Sequence, residues 1–184
     1  MNQNWSQDVY LKAWNFATKA HHGQTYNGPH GEEIPYLNHI GSVAMELISG
    51  LYAQDGIDGN LAIQCALLHD TIEDTPVDFE TIETHFGSDV AHGVMALSKN
   101  KALPDKRAQM LDSLKRIKRQ PVEVWMVKLA DRITNLSEPP AHWDLEKCRM
   151  YREEAKMIHD HLHEASELLS SRLLARIEHY KRYL

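Results

Sequence analysis

The chain has 184 residues, of which 42% are hydrophobic and 25% charged, and its formal net charge is −6. This length and composition are typical of one globular domain with its own core and exclude global disorder. The negative balance argues against nucleic-acid binding, which favours a basic face. Two cysteines, Cys65 and Cys148, are too few for a disulfide framework. No apolar run reaches the roughly 18–20 residues that span a bilayer, and the start lacks signal-peptide features, so we expect a cytoplasmic protein without a membrane partner.

Apolar residues at helical spacing predict short helices in the first half of the chain. One stripe covers residues 10–17, and a second covers residues 40–48 and is ended by Gly50. Asp58 and Asp78 are placed to cap two further helices. We therefore expect this half to be helical, apart from the loop described next.

A loop rich in glycine, proline and asparagine between residues 22 and 36 leaves room for a short β-ribbon. From residue 94 onward the breakers are four prolines, which predicts longer helices. Residues 122–133 keep the helical period, with Pro121 in the first turn. There is no internal repeat and no dividing linker. The sequence thus predicts a single compact all-α domain over residues 1–184.

In the segment 66–76, the most informative of the chain, an apolar helix runs into a histidine and three carboxylates. On a continuous helix, His69 and Glu73 share one face, and Asp70 and Asp74 share another. Like charges at this spacing repel, and the C-terminus of a helix is already partly negative. A cation would remove this conflict. The segment therefore indicates a metal site, with a solvated helix end as the alternative.

Two more residues are candidate ligands. Asp131 interrupts a strongly apolar helix, and a charged residue in such surroundings is seldom buried unless it is paired or bound to metal. On spacing alone, an aspartate at the polar edge of its helix is the favoured interpretation. His39 lies at a predicted helix start, where a core or capping histidine is the ordinary explanation. His159 and His163 lie on a polar helix face and are expected to be solvated.

Five segments in order resemble the HD-domain metal-dependent phosphohydrolases. The resemblance is closest to the hydrolase domain of RelA/SpoT proteins and to their stand-alone relatives, the small alarmone hydrolases. It extends from about residue 13 to residue 155, and the segments that carry it are 22–24, 35–39, 66–75, 85–87 and 128–136. A His-Asp pair alone would be weak evidence, whereas the full ordered series is strong.

The resemblance implies that the metal ligands are His39, His69, Asp70 and Asp131. Two imidazoles and two carboxylates without a thiolate suit a six-coordinate ion of the Mn²⁺ type better than a closed structural zinc site. Mn²⁺ is the usual metal of the family. The sequence does not separate it from Fe²⁺, Co²⁺ or Mg²⁺.

The resemblance also implies that Glu73 and Asp74 form the catalytic acidic pair, since a carboxylate can take a proton from metal-activated water. In the family, the resulting hydroxide attacks the 3′-diphosphate of a hyperphosphorylated nucleotide and releases pyrophosphate. A small nucleotide is thus the expected partner. The matching substrate-contact positions are Tyr26, Asn135, Lys147 and Tyr151.

Three departures from the family pattern affect recognition of the base. Tyr26 stands where an arginine commonly packs on the purine, residues 27–33 lack the usual basic residue, and Ile40 replaces a proline. Both (p)ppGpp and (p)ppApp therefore remain candidate substrates.

One alternative is an HD-type phosphomonoesterase, either a 5′-deoxynucleotidase or a cofactor phosphatase, that shares the metal site. Another is a catalytically silent module that binds a nucleotide or a protein. The presence of all four ligand positions and both acids favours the pyrophosphohydrolase. The sequence leaves the oligomeric state open, and a homo-oligomer is compatible with it.

Overall fold

The computed structural model describes residues 5–184. Residues 1–4 lie outside the described part. They fall within the predicted domain and within the start of the chain for which the sequence predicts no signal peptide. The prediction of an all-α fold with a short ribbon is confirmed. The helices are α1 (Gln7–Ala20), α2 (Leu37–Tyr52), α3 (Gly59–Leu68), α4 (Thr71–Asp74), α5 (Phe79–Phe86), α6 (Ser88–Leu97), α7 (Lys106–Ile117), α8 (Val122–Asn135), α9 (Leu145–Leu162) and α10 (Glu167–His179).

The ribbon consists of two antiparallel strands, β1 (Thr25–Asn27) and β2 (Glu33–Pro35), with Tyr26 opposite Ile34. Short 3₁₀ helices cover His163–Ala165 and Tyr180–Tyr183. In residues 5–184, no helix has both the length and the apolar character required to cross a bilayer.

The predicted helix starts are confirmed at two aspartates. The Asp58 carboxylate accepts hydrogen bonds from the backbone N–H groups of Asn60 and Leu61. Asp78 accepts one from the N–H of Thr81. Both side chains satisfy donors that a helix N-terminus leaves without partners. The sequence predicts Pro121 in the first turn of its helix. In the structure, Pro121 is instead the residue directly before α8.

The prediction that Gly50 ends the second helix is wrong. Helix α2 continues to Tyr52, and Gly50 is buried within it. A Cβ atom at this position would lie 2.9 Å from the Cδ1 atom of Leu169 in α10, closer than packed carbon atoms approach. The glycine therefore allows α10 to pack closely on α2.

Helices α2, α3 and α8 form the centre of the molecule. Helix α2 packs against α3 and α8, α1 covers α3, and α10 packs against α8. Their buried apolar side chains form one continuous core. Asp131 of α8 and His39 of α2 are among the few polar residues buried in these helices. The core therefore brings polar groups from distant parts of the sequence together.

The chain breaks its helix at His69 and Asp70, where the sequence predicted a continuous one. Helix α3 ends at Leu68, and Asp70 has φ −102° and ψ 0° before the single turn of α4. Side chains satisfy two carbonyl groups at the end of α3. The Thr71 hydroxyl donates to the Leu68 carbonyl at 2.6 Å, and His69 Nδ1 lies 2.7 Å from the Ala66 carbonyl. These bonds stabilise the break, because the last carbonyls of a helix otherwise have no partner.

Candidate metal centre and substrate cavity

Imidazole and carboxylate atoms from three parts of the core converge on one point. His39 Nε2 of α2 and His69 Nε2 lie 3.2 Å apart. Asp70 Oδ2 lies 2.9 Å from His69 Nε2 and 3.6 Å from His39 Nε2. Asp131 Oδ1 of α8 lies 3.6 Å from His39 Nε2 and 3.9 Å from His69 Nε2. The structure thus brings together all four residues that the resemblance implied as ligands.

The residues of this cluster fit a divalent cation. His69 Nδ1 faces the Ala66 carbonyl, which can only accept, so the ring carries its proton there and Nε2 has a free lone pair in the neutral form. Donor atoms of His39, His69 and Asp70 lie within 4.8 Å of one another, and this is the one such group found in residues 5–184. Ligand atoms that each lie about 2.1 Å from a shared ion are separated from one another by distances of this order.

Charge interactions inside the cluster keep both carboxylates ionised. Burial alone would raise the pKa of Asp70, but His69 and His39 hold it well below its usual range. Burial likewise opposes ionisation of Asp131, but the Lys128 ammonium, followed by His69, lowers its pKa. Burial disfavours a charge on His69, yet Asp70 raises the pKa of this imidazole to about 9. Ionised carboxylates are the form that metal ligation requires, and a metal ion at His69 Nε2 would take the place of the proton that Asp70 otherwise stabilises there.

Three neighbouring side chains orient the two carboxylates. The Tyr36 hydroxyl donates to Asp70 Oδ2 at 2.5 Å. The buried Lys128 ammonium donates to Asp131 Oδ2 at 2.9 Å, while the Asn135 amide donates to Asp131 Oδ1 at 2.5 Å. Partners of this kind hold the ligands of metal sites in position.

Sequence reasoning did not assign Tyr36 or Lys128 to the site. Lys128 was detectable, since it lies three positions before Asp131 on the same helix, a spacing that allows side-chain contact. Tyr36 lies 34 positions from Asp70, so no local spacing indicates that contact.

A cavity of about 470 Å³ extends from the cluster. This volume suits a small-molecule ligand. Residues of the ribbon line one side, among them Tyr26, and residues of α8 and α9 line the other, among them Arg132 and Tyr151. Arg132 forms an ion pair with Glu154, and its guanidinium carbon lies 4.4 Å from the centre of the Tyr151 ring. The cavity therefore offers both aromatic faces and charged groups.

Glu73 and Asp74 both line the cavity, as do His39, Asp70 and Asp131. Glu73 Oε2 accepts a hydrogen bond from the Lys99 backbone N–H at 2.8 Å, and Lys99 Nζ lies 3.7 Å from Glu73 Oε1. Lys101 Nζ donates to the Glu73 carbonyl at 2.6 Å. Burial disfavours the charged form of Lys99, but Glu73 raises its pKa, so the ammonium stays charged on the cavity wall.

Lys99 is a third residue that sequence reasoning missed. It lies in the connection between α6 and α7, where no motif stood out.

Three of the four predicted substrate contacts, Tyr26, Asn135 and Tyr151, line the cavity. Lys147 is placed differently: it is not among the lining residues, and its Nζ lies 4.2 Å from the centre of the Trp143 ring. The aromatic face holds the ammonium there through a cation–π contact. Trp143 itself lines the cavity and packs edge-on against Tyr151.

Comparison with known proteins gives a family match over most of the chain. The model of the HD domain family matches residues 13–168. The guanosine-3′,5′-bis(diphosphate) 3′-pyrophosphohydrolase MESH1 of Xenopus tropicalis is 34% identical over 169 residues, covering 90% of each chain. The bifunctional (p)ppGpp synthase/hydrolase SpoT of Escherichia coli K12 is 38% identical over 130 residues, which cover 68% of this chain and 17% of that protein.

A solved structure shows the same fold. It belongs to a protein described as a metazoan ortholog of SpoT that hydrolyzes ppGpp, and it superposes with a TM-score of 0.81 at 26% identity over 95% of this chain and 97% of that one. The fold and the converging histidines and aspartates are those of a metal-dependent HD hydrolase. The chain belongs to the HD domain family, and its similarity within that family is to stand-alone hydrolases related to SpoT.

Proposed function

We propose that this chain is a metal-dependent 3′-pyrophosphohydrolase that acts on a hyperphosphorylated purine nucleotide, (p)ppGpp or (p)ppApp. The observation that carries the proposal is that Glu73 and Asp74 line the same cavity as His39, Asp70 and Asp131 of the cluster. The printed activities of the MESH1 and SpoT relatives support the same reaction. A phosphomonoesterase of the HD type would share the cluster but would not need this acidic pair beside it.

His39, His69, Asp70 and Asp131 would hold the metal ion. Their nitrogen and oxygen donors, without a thiolate, favour Mn²⁺ or a similar ion. Such an ion, when bound, lowers the pKa of water and offsets phosphate charge.

Glu73 is the base in this proposal. The Lys99 N–H holds its Oε2 atom, which leaves Oε1 to take the proton of the attacking water. The water oxygen bonds to phosphorus while the bond between phosphorus and the ribose 3′ oxygen breaks. The proton that Glu73 took from water passes through solvent to that 3′ oxygen, and pyrophosphate leaves. The charged Lys99 ammonium lies on the cavity wall, where it offsets negative charge on the phosphates.

Recognition of the nucleoside falls to the ribbon that lines the cavity. Tyr26 presents an aromatic ring on which a purine can stack. A tyrosine lacks the guanidinium fork that an arginine offers to hydrogen-bond acceptors. Tyr26 is therefore compatible with adenine as well as guanine, and we propose that both nucleotides enter the site.

Product analysis tests the reaction. The protein is stripped with EDTA, reloaded with Mn²⁺, and incubated separately with ppGpp and ppApp. Release of pyrophosphate, dependent on added metal and lost in a Glu73→Gln variant, is expected. Orthophosphate as the product, or turnover only of a 5′-deoxynucleotide or a phosphorylated dinucleotide cofactor, would instead establish the phosphomonoesterase. Nucleotide binding without turnover would establish the silent module.

We also propose that residues 1–184 form one domain, because the first and last helices share a core. Helix α1 packs against α3, while α10 packs against α8 and α2. A cytoplasmic location stays a prediction of the sequence.

A further inference from the structure

The Lys99 segment, residues 98–101, connects the catalytic cavity to a helix behind it. On its inner side, the Lys99 N–H donates to Glu73 Oε2 at 2.8 Å. Glu73 itself lies on α4, a helix of only four residues in which Thr71 is the buried one. So short a helix has little packing of its own, so contacts from outside must fix the direction of the Glu73 carboxylate.

Arg116 of α7 fixes this segment from its outer side. Its Nη1 atom donates to the carbonyls of Met95 at 2.5 Å and Ala96 at 3.1 Å, and its Nη2 donates to the Ser98 carbonyl at 2.7 Å. The Nε atom donates to Asp112 Oδ2 at 2.8 Å, which orients the guanidinium.

The contacts of Arg116 have a clear physical role. Helix α6 ends at Leu97, and the last carbonyls of a helix have no partner within it. A cation at that position satisfies them and interacts favourably with the helix dipole. Ser113 adds a hydroxyl hydrogen bond to the Ala96 carbonyl at 2.9 Å. The contact to Ser98 lies beyond the helix and holds the residue directly before Lys99.

We propose that Arg116 is a positioning residue for the reaction: it holds the Lys99 segment so that the Lys99 N–H aims the Glu73 carboxylate at the cavity. Arg116 does not line the catalytic cavity and contributes nothing to the histidine–aspartate cluster. This inference rests on the proposed role of Glu73 as the base.

Arg116→Gln is the first test, with Lys115→Gln as its matched control. Lys115 is exposed in the same turn of α7, so both variants remove one positive charge. In the Arg116 variant we expect kcat to fall about tenfold to a hundredfold, the range that misplacement of a reacting group produces. The affinity for Mn²⁺ should stay within about twofold, since His39, Asp70 and Asp131 are held by other elements. The control should match the unaltered protein.

Chemical rescue separates positioning from loss of folding. An outer cavity of about 460 Å³ adjoins Arg116 and is also lined by Lys99 and Asp112. Ethylguanidinium added to an Arg116→Ala variant should therefore restore part of kcat, whereas ethylammonium should not, because it lacks the planar fork.

Hydrogen exchange at the Lys99 amide supplies a readout that does not depend on activity. Exchange should be about tenfold faster in Arg116→Gln than in Lys115→Gln. If kcat and exchange are the same in the two variants, or if kcat falls only together with metal affinity, the inference is wrong. Faster exchange in a protein that never releases pyrophosphate would overturn the proposed function while leaving the positioning of Glu73 in place.

Discussion

The two sides of the catalytic cavity differ in how firmly the fold holds them. On the helical side, His39 and Asp131 are only 8% and 6% exposed and belong to central helices. On the ribbon side, all three residues of β1 are exposed, and Tyr26 is 36% exposed. The proposed metal ligands therefore share their constraints with the core, whereas Tyr26, the proposed contact to the base, can change with little effect on folding. Under the proposed function, the fold constrains the reacting groups more tightly than the groups that select the substrate.

The largest effect is expected at the metal cluster. Asp70→Asn keeps the shape of the side chain but removes its charge. We expect turnover to fall to below about 1% and the purified protein to lose bound metal, since a ligand is lost. Pyrophosphate release and elemental analysis measure the two effects. Asp78→Asn is the control, because asparagine caps a helix as well as aspartate does. An Asp70 variant with full activity and metal content would remove Asp70 from the ligand set.

A second variant tests the burial of charge on the helical side. Lys128→Met leaves the buried Asp131 carboxylate without its ammonium partner. Breaking a buried pair in this way costs about 3 kcal/mol of stability. A bound cation would replace part of the missing charge, so the loss in the free energy of unfolding by urea should be smaller with Mn²⁺ than with EDTA. Equal losses under the two conditions would contradict a cation beside Asp131.

A third variant removes only a hydroxyl. Tyr36→Phe takes away the hydrogen bond to Asp70 Oδ2 but keeps the ring. Loss of such an orienting partner typically weakens metal binding by about tenfold or more, which titration calorimetry with Mn²⁺ measures. Tyr52→Phe alters an exposed tyrosine at the end of α2, the helix that Tyr36 precedes, and should leave the affinity for Mn²⁺ unchanged. Identical affinities in both variants would show that Asp70 does not need this partner.

The smallest effect is expected on the ribbon. Tyr26→Ala should raise KM for the nucleotide about fivefold, since one exposed stacking contact is worth about 1 kcal/mol. The value of kcat and the affinity for Mn²⁺ should stay unchanged. Tyr26→Arg should raise kcat/KM for ppGpp relative to ppApp, because a guanidinium pairs with guanine acceptors. A fall in metal affinity in either variant would contradict the separation of metal binding on the helical side from base recognition on the ribbon side.

Local patterns were enough to predict most of the fold. Capping aspartates such as Asp58 act on their own helix, and the proline-separated periodicity of the second half is also local. Gly50 was misinterpreted because its role depends on Leu169, a residue more than a hundred positions later in the chain. The helix break at His69 and Asp70 was missed because apolar and helical spacing continues through it.

The site was predictable to a different degree. Individual residues left its ligands undecided, since spacing alone favours Asp131 as an aspartate at the polar edge of its helix. The resemblance as a whole implied the set. Lys99 and Tyr36 were not predicted as site residues, because their partners, Glu73 and Asp70, lie 26 and 34 positions away in the chain. The orientation of Lys147 depends on a contact with Trp143 that helical spacing to Tyr151 does not reveal.

The placement of the cluster across the core links catalysis to the unfolding of the whole chain. His39, His69 and Asp131 come from distant positions, so an ion that joins them would act as a cross-link closing the chain from residue 39 to residue 131. Such a closure restricts the unfolded state, and a ligand that binds only the folded form stabilises it by about 2.7 kcal/mol at a hundred times its dissociation constant. Scarcity of the metal would then shorten the lifetime of the protein as well as stop its turnover.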